Sequence, residues 1–235
     1  MLNRQPLPLP EFLANLETFD LVMMKGLLVT SQEAQSITNS QWSHIGMVVI
    51  AGDLQISGID PAARLYWEAN TADTAIDVLS NTIKAGPQLV LLEDRIQHNF
   101  WVKFDGAYMA RKLMYNRTPD MISTLKAVID EAKNGTLPYS GKDQTAELTN
   151  FLAGRFYNIA STAGQYACSQ LVAHTYMALG LLSQFYVSNS YVPADFTEEV
   201  DVSLLKGAWL GREIYLHTKT IAPAPPDYKP QGTTS

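Results

Sequence analysis

The chain has a single cysteine in 235 residues, Cys168. One cysteine excludes an internal disulfide, so nothing in the composition requires an oxidising compartment, and zinc sites built on cysteine pairs are excluded as well. Charge is sparse at 17% of residues, and the net value of −6 is accompanied by no run of Lys or Arg. Phosphate backbones are bound by clustered basic residues, so no nucleic-acid partner is expected. Long apolar runs are missing too. Stretches such as Met47 to Ala51 and Leu89 to Leu92 fall far short of the roughly 20 residues of a membrane helix, and no stable membrane insertion is expected. Phosphate-loop and dinucleotide glycine patterns are absent, as is the metalloprotease histidine pair, so neither cofactor nor metal is expected.

What is present is an ordinary globular composition, 46% hydrophobic, in a length that suits one large domain better than two small ones. The expected organisation is a single domain over residues 1–221 and a flexible C-terminal tail over 222–235. That tail opens on Ala222-Pro223-Ala224-Pro225-Pro226, a composition that favours extended chain. The amino terminus is punctuated by Pro6, Pro8 and Pro10 and followed by Glu11, unlike the apolar stretch of a signal peptide. The expected location is cytoplasmic if this end is native, and secreted or periplasmic if a signal peptide preceded it. No sequence feature sets the oligomeric state.

Local patterns predict a short helix at Pro10 to Leu16, a strand at Phe19 to Gly26, a polar loop from Thr30 to Gln41 and a strand at Ile45 to Ile50. A strand at Leu65 to Glu68 follows, in which alternation sends Tyr66 and Glu68 to one face. Further strands are expected at Gln88 to Leu92 and Asn99 to Phe104, with a helix capped by Asp105 running through Tyr108, Met109 and Leu113. Thr118 and Pro119 are a helix N-cap and first-turn pair, and the apolar face of Met121, Ile122, Leu125, Val128 and Ile129 ends at Asn134-Gly135. A weaker helical pattern spans Thr145 to Phe156, after a loop around Tyr139. The segment after Cys168 carries the stripe Leu171, Val172, Thr175, Ala178, Leu179 with Gly180 placed as its C-terminal cap. A last strand is expected at Glu213 to His217. Strands first, helices next and a closing strand give an α+β class, an antiparallel sheet packed against helices with Cys168 at a helix N-terminus.

A lone cysteine commonly serves as a small packing residue. What points to chemistry is its position at a helix start, together with His44 at the mouth of an apolar strand far upstream; residues so distant in sequence can be neighbours in a fold. A thiol reacts as thiolate, and a helix N-terminus and a nearby imidazolium both favour that form. The histidine then needs an acceptor on its other ring nitrogen. Glu68 is the best candidate, on a strand that can pair with that of His44; Gln41, Asn70 and Asp73 are the alternatives. Taken singly, His44 reads equally as a strand-edge polar residue and Glu68 as a solvated one. His174 falls well around its helix from Cys168, and His98 and His217 sit in no motif, so surface or packing roles are expected of all three.

Trp42-Ser43-His44-Ile45-Gly46 followed far downstream by Tyr166-Ala167-Cys168-Ser169-Gln170-Leu171-Val172 resembles the circularly permuted branch of the NlpC-type papain-like superfamily, which includes YiiX-like amidases and relatives of lecithin retinol acyltransferase. In that branch the histidine motif comes first and the cysteine helix last. Asp20-Leu21-Val22 is similar to its first strand, Tyr66-Trp67-Glu68-Ala69 to its acidic segment and Pro193-Ala194-Asp195-Phe196 to its proline turn. The departures are Phe19 where glycine is usual, Gln170 where glutamate is common, and the length of the Lys25 to Gln41 loop. The resemblance implies a permuted papain-like fold and a cysteine hydrolase with Cys168 as nucleophile, His44 as base and Glu68 orienting it, acting on a small peptide, amide or lipid-acyl substrate. An amidase or peptidase, with cell-wall peptides as one substrate class, is the leading expectation. A lipid acyl hydrolase or acyltransferase with the same three residues is the second, and a binding module with a vestigial site the third. Tyr139 and Tyr166 are the candidate substrate-binding residues.

Overall fold

A computed structural model describes residues 5–70, 75–135, 144–160 and 168–228. Its centre is a six-stranded antiparallel sheet of β1 (Leu21–Gly26), β2 (His44–Ile50), β3 (Arg64–Asn70), β6 (Gly86–Leu91), β7 (Asp105–Met114) and β8 (Trp209–Tyr215), in the order β6-β3-β2-β1-β7-β8. A small hairpin of β4 (Ile76–Asp77) and β5 (Thr82–Ile83) forms a second sheet beside β6, where Leu89 N donates to Asp77 Oδ1 at 2.8 Å. The helices are α1 (Leu9–Ala14), α2 (Val29–Thr38), α3 (Ala51–Leu54), α4 (Leu92–Trp101), α5 (Pro119–Lys133), α6 (Gln144–Tyr157) and α7 (Cys168–Ala178).

Both faces of the sheet are covered, which is why its strands read as continuous apolar runs rather than clean alternations. Odd-numbered side chains such as Leu21, Met23, Ile45, Met47, Trp67 and Met109 pack on α5 and α7. The even-numbered set, Val22, Met24, Val48, Tyr66, Val90, Tyr108 and Ala110, packs on α1 and α4. Buried polar groups tie the layers: Trp67 Nε1 donates to Thr175 Oγ1 at 3.2 Å, and the Tyr176 hydroxyl donates to the Phe19 carbonyl at 2.7 Å. Phe19, the position where a glycine is usual in the resembled family, has φ 76°, a left-handed value rare for a bulky residue, and its ring is fully buried.

Three local expectations are corrected. The Thr30 to Gln41 loop contains α2, which ends on Asn39 in the left-handed conformation and is fastened to β1 by Gln35 Nε2 donating to the Gly26 carbonyl at 2.8 Å. Asn99 to Phe104 is not a strand: α4 runs through Trp101, because Leu92, Ile96 and Asn99 bury one helical stripe. The helix expected from Asp105 is instead strand β7. Its apolar residues serve both faces of the sheet, Tyr108 on one and Met109 on the other, so its sequence shows no strand-like alternation. The helix after Pro119 is as expected, with Thr118 Oγ1 accepting from Met121 N at 3.3 Å. Part of the segment expected as a tail lies against α4, where Trp101 Nε1 donates to the Ala222 carbonyl at 2.7 Å.

Candidate active site

His44 opens β2 opposite Met24 of β1, at the end of the sheet that α7 reaches. The residue before it is held in place from two sides: Ser43 N donates to the Met24 carbonyl at 3.2 Å and Ser43 Oγ accepts from Gly26 N at 2.9 Å. A Cβ on Gly26 would lie 2.8 Å from that Oγ and closer still to Ser31, so only glycine allows this approach. The register that pairs Met47 with Trp67 carries Glu68 past Gly46, on the same face as His44 and diagonal to it. A side chain at 46 would obstruct that face, since its Cβ would sit 2.5 Å from the Tyr66 ring. Tyr66 instead crosses over Gly46 to donate its hydroxyl to the Val22 carbonyl at 2.9 Å, its ring edge-on to His44 at 6.0 Å.

Glu68 is completely buried, and both its oxygens are occupied. Oε2 meets His44 Nε2 at 2.6 Å, with Asn70 Nδ2 at 3.5 Å. Oε1 accepts from Gln88 Nε2 at 3.0 Å and is ion-paired with Arg95 Nη2 from α4. Burial alone would raise this carboxyl. The Arg95 guanidinium and the His44 hydrogen bond outweigh it and hold the group at about 2. Burial likewise opposes charge on His44, yet interaction with Cys168 and with Glu68 outweighs burial and raises the imidazole to about 10.

Cys168 is the first residue of α7 and is half-buried, with Sγ 4.0 Å from the Ser43 carbonyl. Its thiol lies close enough to the His44 ring to raise the imidazole. With Nε2 engaged by Glu68, Nδ1 is the ring nitrogen that remains for sulfur. The result is a line of guanidinium, carboxylate, imidazole and thiol running from the α4 side of the sheet, through its end, to α7. Ionised, these groups alternate in sign, so each stabilises its neighbour. Such a line can hold one imidazole tautomer, take a proton from sulfur and return it to another atom nearby. The α7 N-terminus adds backbone dipole at the sulfur.

Of the alternatives for orienting His44, Asn70 reaches Glu68 rather than the histidine, Gln41 is exposed, and Asp73 lies outside the described residues. Tyr139 and Tyr166 lie outside them as well. His174 pairs with Glu131 at 3.5 Å, His98 bonds to Tyr228, and His217 N donates to the Leu7 carbonyl at 2.7 Å. Arg95 and Gln88 were missed in the sequence. An arginine on the buried stripe of a helix implies a buried carboxylate, a signal that exists only once Leu92–Trp101 is known to be a helix. Among the described residues no three His, Cys, Asp or Glu side chains converge as metal ligands, and no helix is long and apolar enough to cross a membrane.

No protein-family model matches the chain, and no curated protein does. Among solved structures the chain is similar to the metalloprotein YiiX from Escherichia coli O157:H7. The two share 17% identity over 70% of this chain and 67% of that one, with a TM-score of 0.42.

Proposed function

We propose that the chain is a cysteine-dependent amidase or peptidase with a permuted papain-like arrangement, in which Cys168 is the nucleophile, His44 the base and Glu68 the residue that orients it. The observation that carries this reading is the 2.6 Å contact between His44 Nε2 and the buried Glu68, with the Cys168 thiol close enough to the same imidazole to raise it. The chain order, histidine strand before cysteine helix, supports the permuted arrangement. In the first half-reaction sulfur, its proton already on His44, attacks the amide carbonyl carbon, and backbone N–H groups at the α7 N-terminus stabilise the oxyanion. His44 then protonates the leaving nitrogen as the C–N bond breaks, leaving a thioester on Cys168. Water, deprotonated by His44, attacks that thioester and releases the acid and the free thiol.

A thiol-directed acylating probe read by intact mass at neutral pH tests this. Single labelling of the wild type, at least about tenfold slower in His44→Ala, is the expected result; equal labelling of the two counts against an activated thiolate. Function retained in Cys168→Ser would favour the binding-module reading.

A second reading, hydrolysis or transfer of lipid acyl chains, has one observation in its favour. Phe156, Tyr157, Ile159, Phe185 and Tyr186 are all exposed and lie together, because Asn158 bonds to Phe185 O and Val187 N. The turn that follows adjoins α7, where Gln170 Nε2 meets Ser188 Oγ at 3.4 Å. Amine release from peptide amides, compared with fatty-acid release from phospholipid, separates the two.

A further inference from the structure

A cleft of about 910 Å³ shares no lining residue with the Cys168 site. It lies along the outer side of α4, between the β4–β5 hairpin and the C-terminal segment, and its size falls within the roughly 300–1,000 Å³ usual for small-molecule sites. Its chemistry is one-sided: Asp94 and Asp227 line it, and no described Lys or Arg does. Neither carboxylate has a hydrogen-bonding or cationic partner among the described residues.

The aromatic wall complements those carboxylates. Trp101 and Tyr228 stand nearly perpendicular, ring centroids 4.8 Å apart at 71°. Their polar atoms are already spent: the indole N–H on the Ala222 carbonyl, the phenol on His98 Nδ1. What they offer a ligand is ring surface, which attracts cations through its quadrupole. His98 adds no positive charge to the wall, since burial and the nearby Arg95 hold its imidazole below the ordinary value. Burial raises the Asp94 carboxyl, as expected of a carboxylate partly withdrawn from water without a counter-ion. Ile59, Ile76, Val78 and Leu91 supply apolar surface on the other side.

We propose that this cleft binds a small organic cation, an amine or quaternary ammonium carrying an apolar group, with Trp101 and Tyr228 against the cation and Asp94 and Asp227 as its counter-charges. The site is independent of the chemistry at Cys168.

Choline is the probe, titrated into the full chain at low ionic strength and followed by calorimetry and by tryptophan fluorescence. Its neutral isostere, 3,3-dimethylbutanol, is the control. Saturable choline binding is expected, with the isostere at least about tenfold weaker and Trp101→Leu weaker by a similar factor. Asp94→Asn is expected to weaken binding; because Asp94 sits in the first turn of α4, Asp227→Asn, outside any helix, serves as the variant that leaves the fold intact. Absence of saturation at millimolar choline, equal binding of the isostere, or wild-type affinity in both aspartate variants overturns the proposal. Competition by phosphatidylcholine vesicles would assign a lipid headgroup as the source and its absence a free cation, and the cation site stands in either case. Alkylation of Cys168 in the aspartate variants is expected at the wild-type rate.

Discussion

Replacing Glu68 by Gln tests the buried line of charge at its most constrained point. The substitution keeps the shape of the side chain but removes the anion that Arg95 and His44 share. For unit charges about 4 Å apart at an effective dielectric of about 20, the attraction is about 4 kcal/mol. Losing it while Arg95 remains should lower His44 from about 10, leaving the interaction with Cys168 to oppose burial. Arg95, fully buried, would be left without its carboxylate, which costs about 3–5 kcal/mol of stability. The companion variant Glu68→Gln/Arg95→Met removes that buried guanidinium and should recover part of the loss, whereas Arg95→Met alone should cost less than Glu68→Gln because Glu68 keeps His44. Two assays read the cycle: urea unfolding, and alkylation of the sole cysteine by iodoacetamide between pH 5 and 9 by intact mass. At pH 6 both proteins that carry Glu68→Gln should be alkylated at least about tenfold more slowly than the wild type. Wild-type alkylation profiles in both, or a double variant as unstable as the sum of the singles, would refute the reasoning.

Stability should peak on the acid side of neutrality. His44 is raised from 6.5 to about 10, so its contribution is complete below about 6.5 and is lost as pH climbs toward 10; Glu68 is lowered from 4.5 to about 2, so its contribution is complete above about 4.5 and fades toward 2. Asp20, raised by burial from 3.8 to about 6, is favoured by the fold in its protonated form, so its contribution is complete below about 3.8 and is lost as pH climbs toward 6. A melting temperature that holds or rises from pH 6 to 9 would contradict this. Gly46→Ala should destabilise by about 1–3 kcal/mol, since its Cβ would sit 2.5 Å from the Tyr66 ring and 2.8 Å from the Trp67 carbonyl, a loss measurable by denaturant titration. Thr118→Ala removes the cap on Met121 N and should cost about 1 kcal/mol without altering Cys168 alkylation.

The meeting of His44 with Glu68 was legible in the sequence because strand parity is a strict rule: Tyr66 and Glu68 share a face, and antiparallel pairing of neighbouring strands delivers that face to His44. Arg95 was hidden by a misassigned element. Phe100-Trp101-Val102 imitates a strand, and only the burial of Leu92 and Ile96 beneath the sheet makes the segment a helix, a tertiary effect that local pattern does not carry. Strand β7 was read as a helix for the converse reason. With Tyr108 and Met109 buried on opposite faces, a strand covered on both sides loses the alternation by which strands are recognised.

The position of the site has a consequence for its evolution and engineering. Cys168 belongs to the layer on one face of the sheet, and Arg95 to the layer on the other. His44 and Glu68 join them at the sheet's end, so the electrostatics that tune the thiol's partner are part of the packing between layers. A solvent-exposed carboxylate would be screened and weakly coupled. Buried against Arg95, Glu68 cannot change charge without disturbing the core, and substitutions along this line should therefore alter stability and thiol reactivity together. Substitutions in the exposed Phe156 to Ile159 segment, or of Asp227 in the cleft beside Trp101, touch no member of the line and should leave thiol reactivity unchanged.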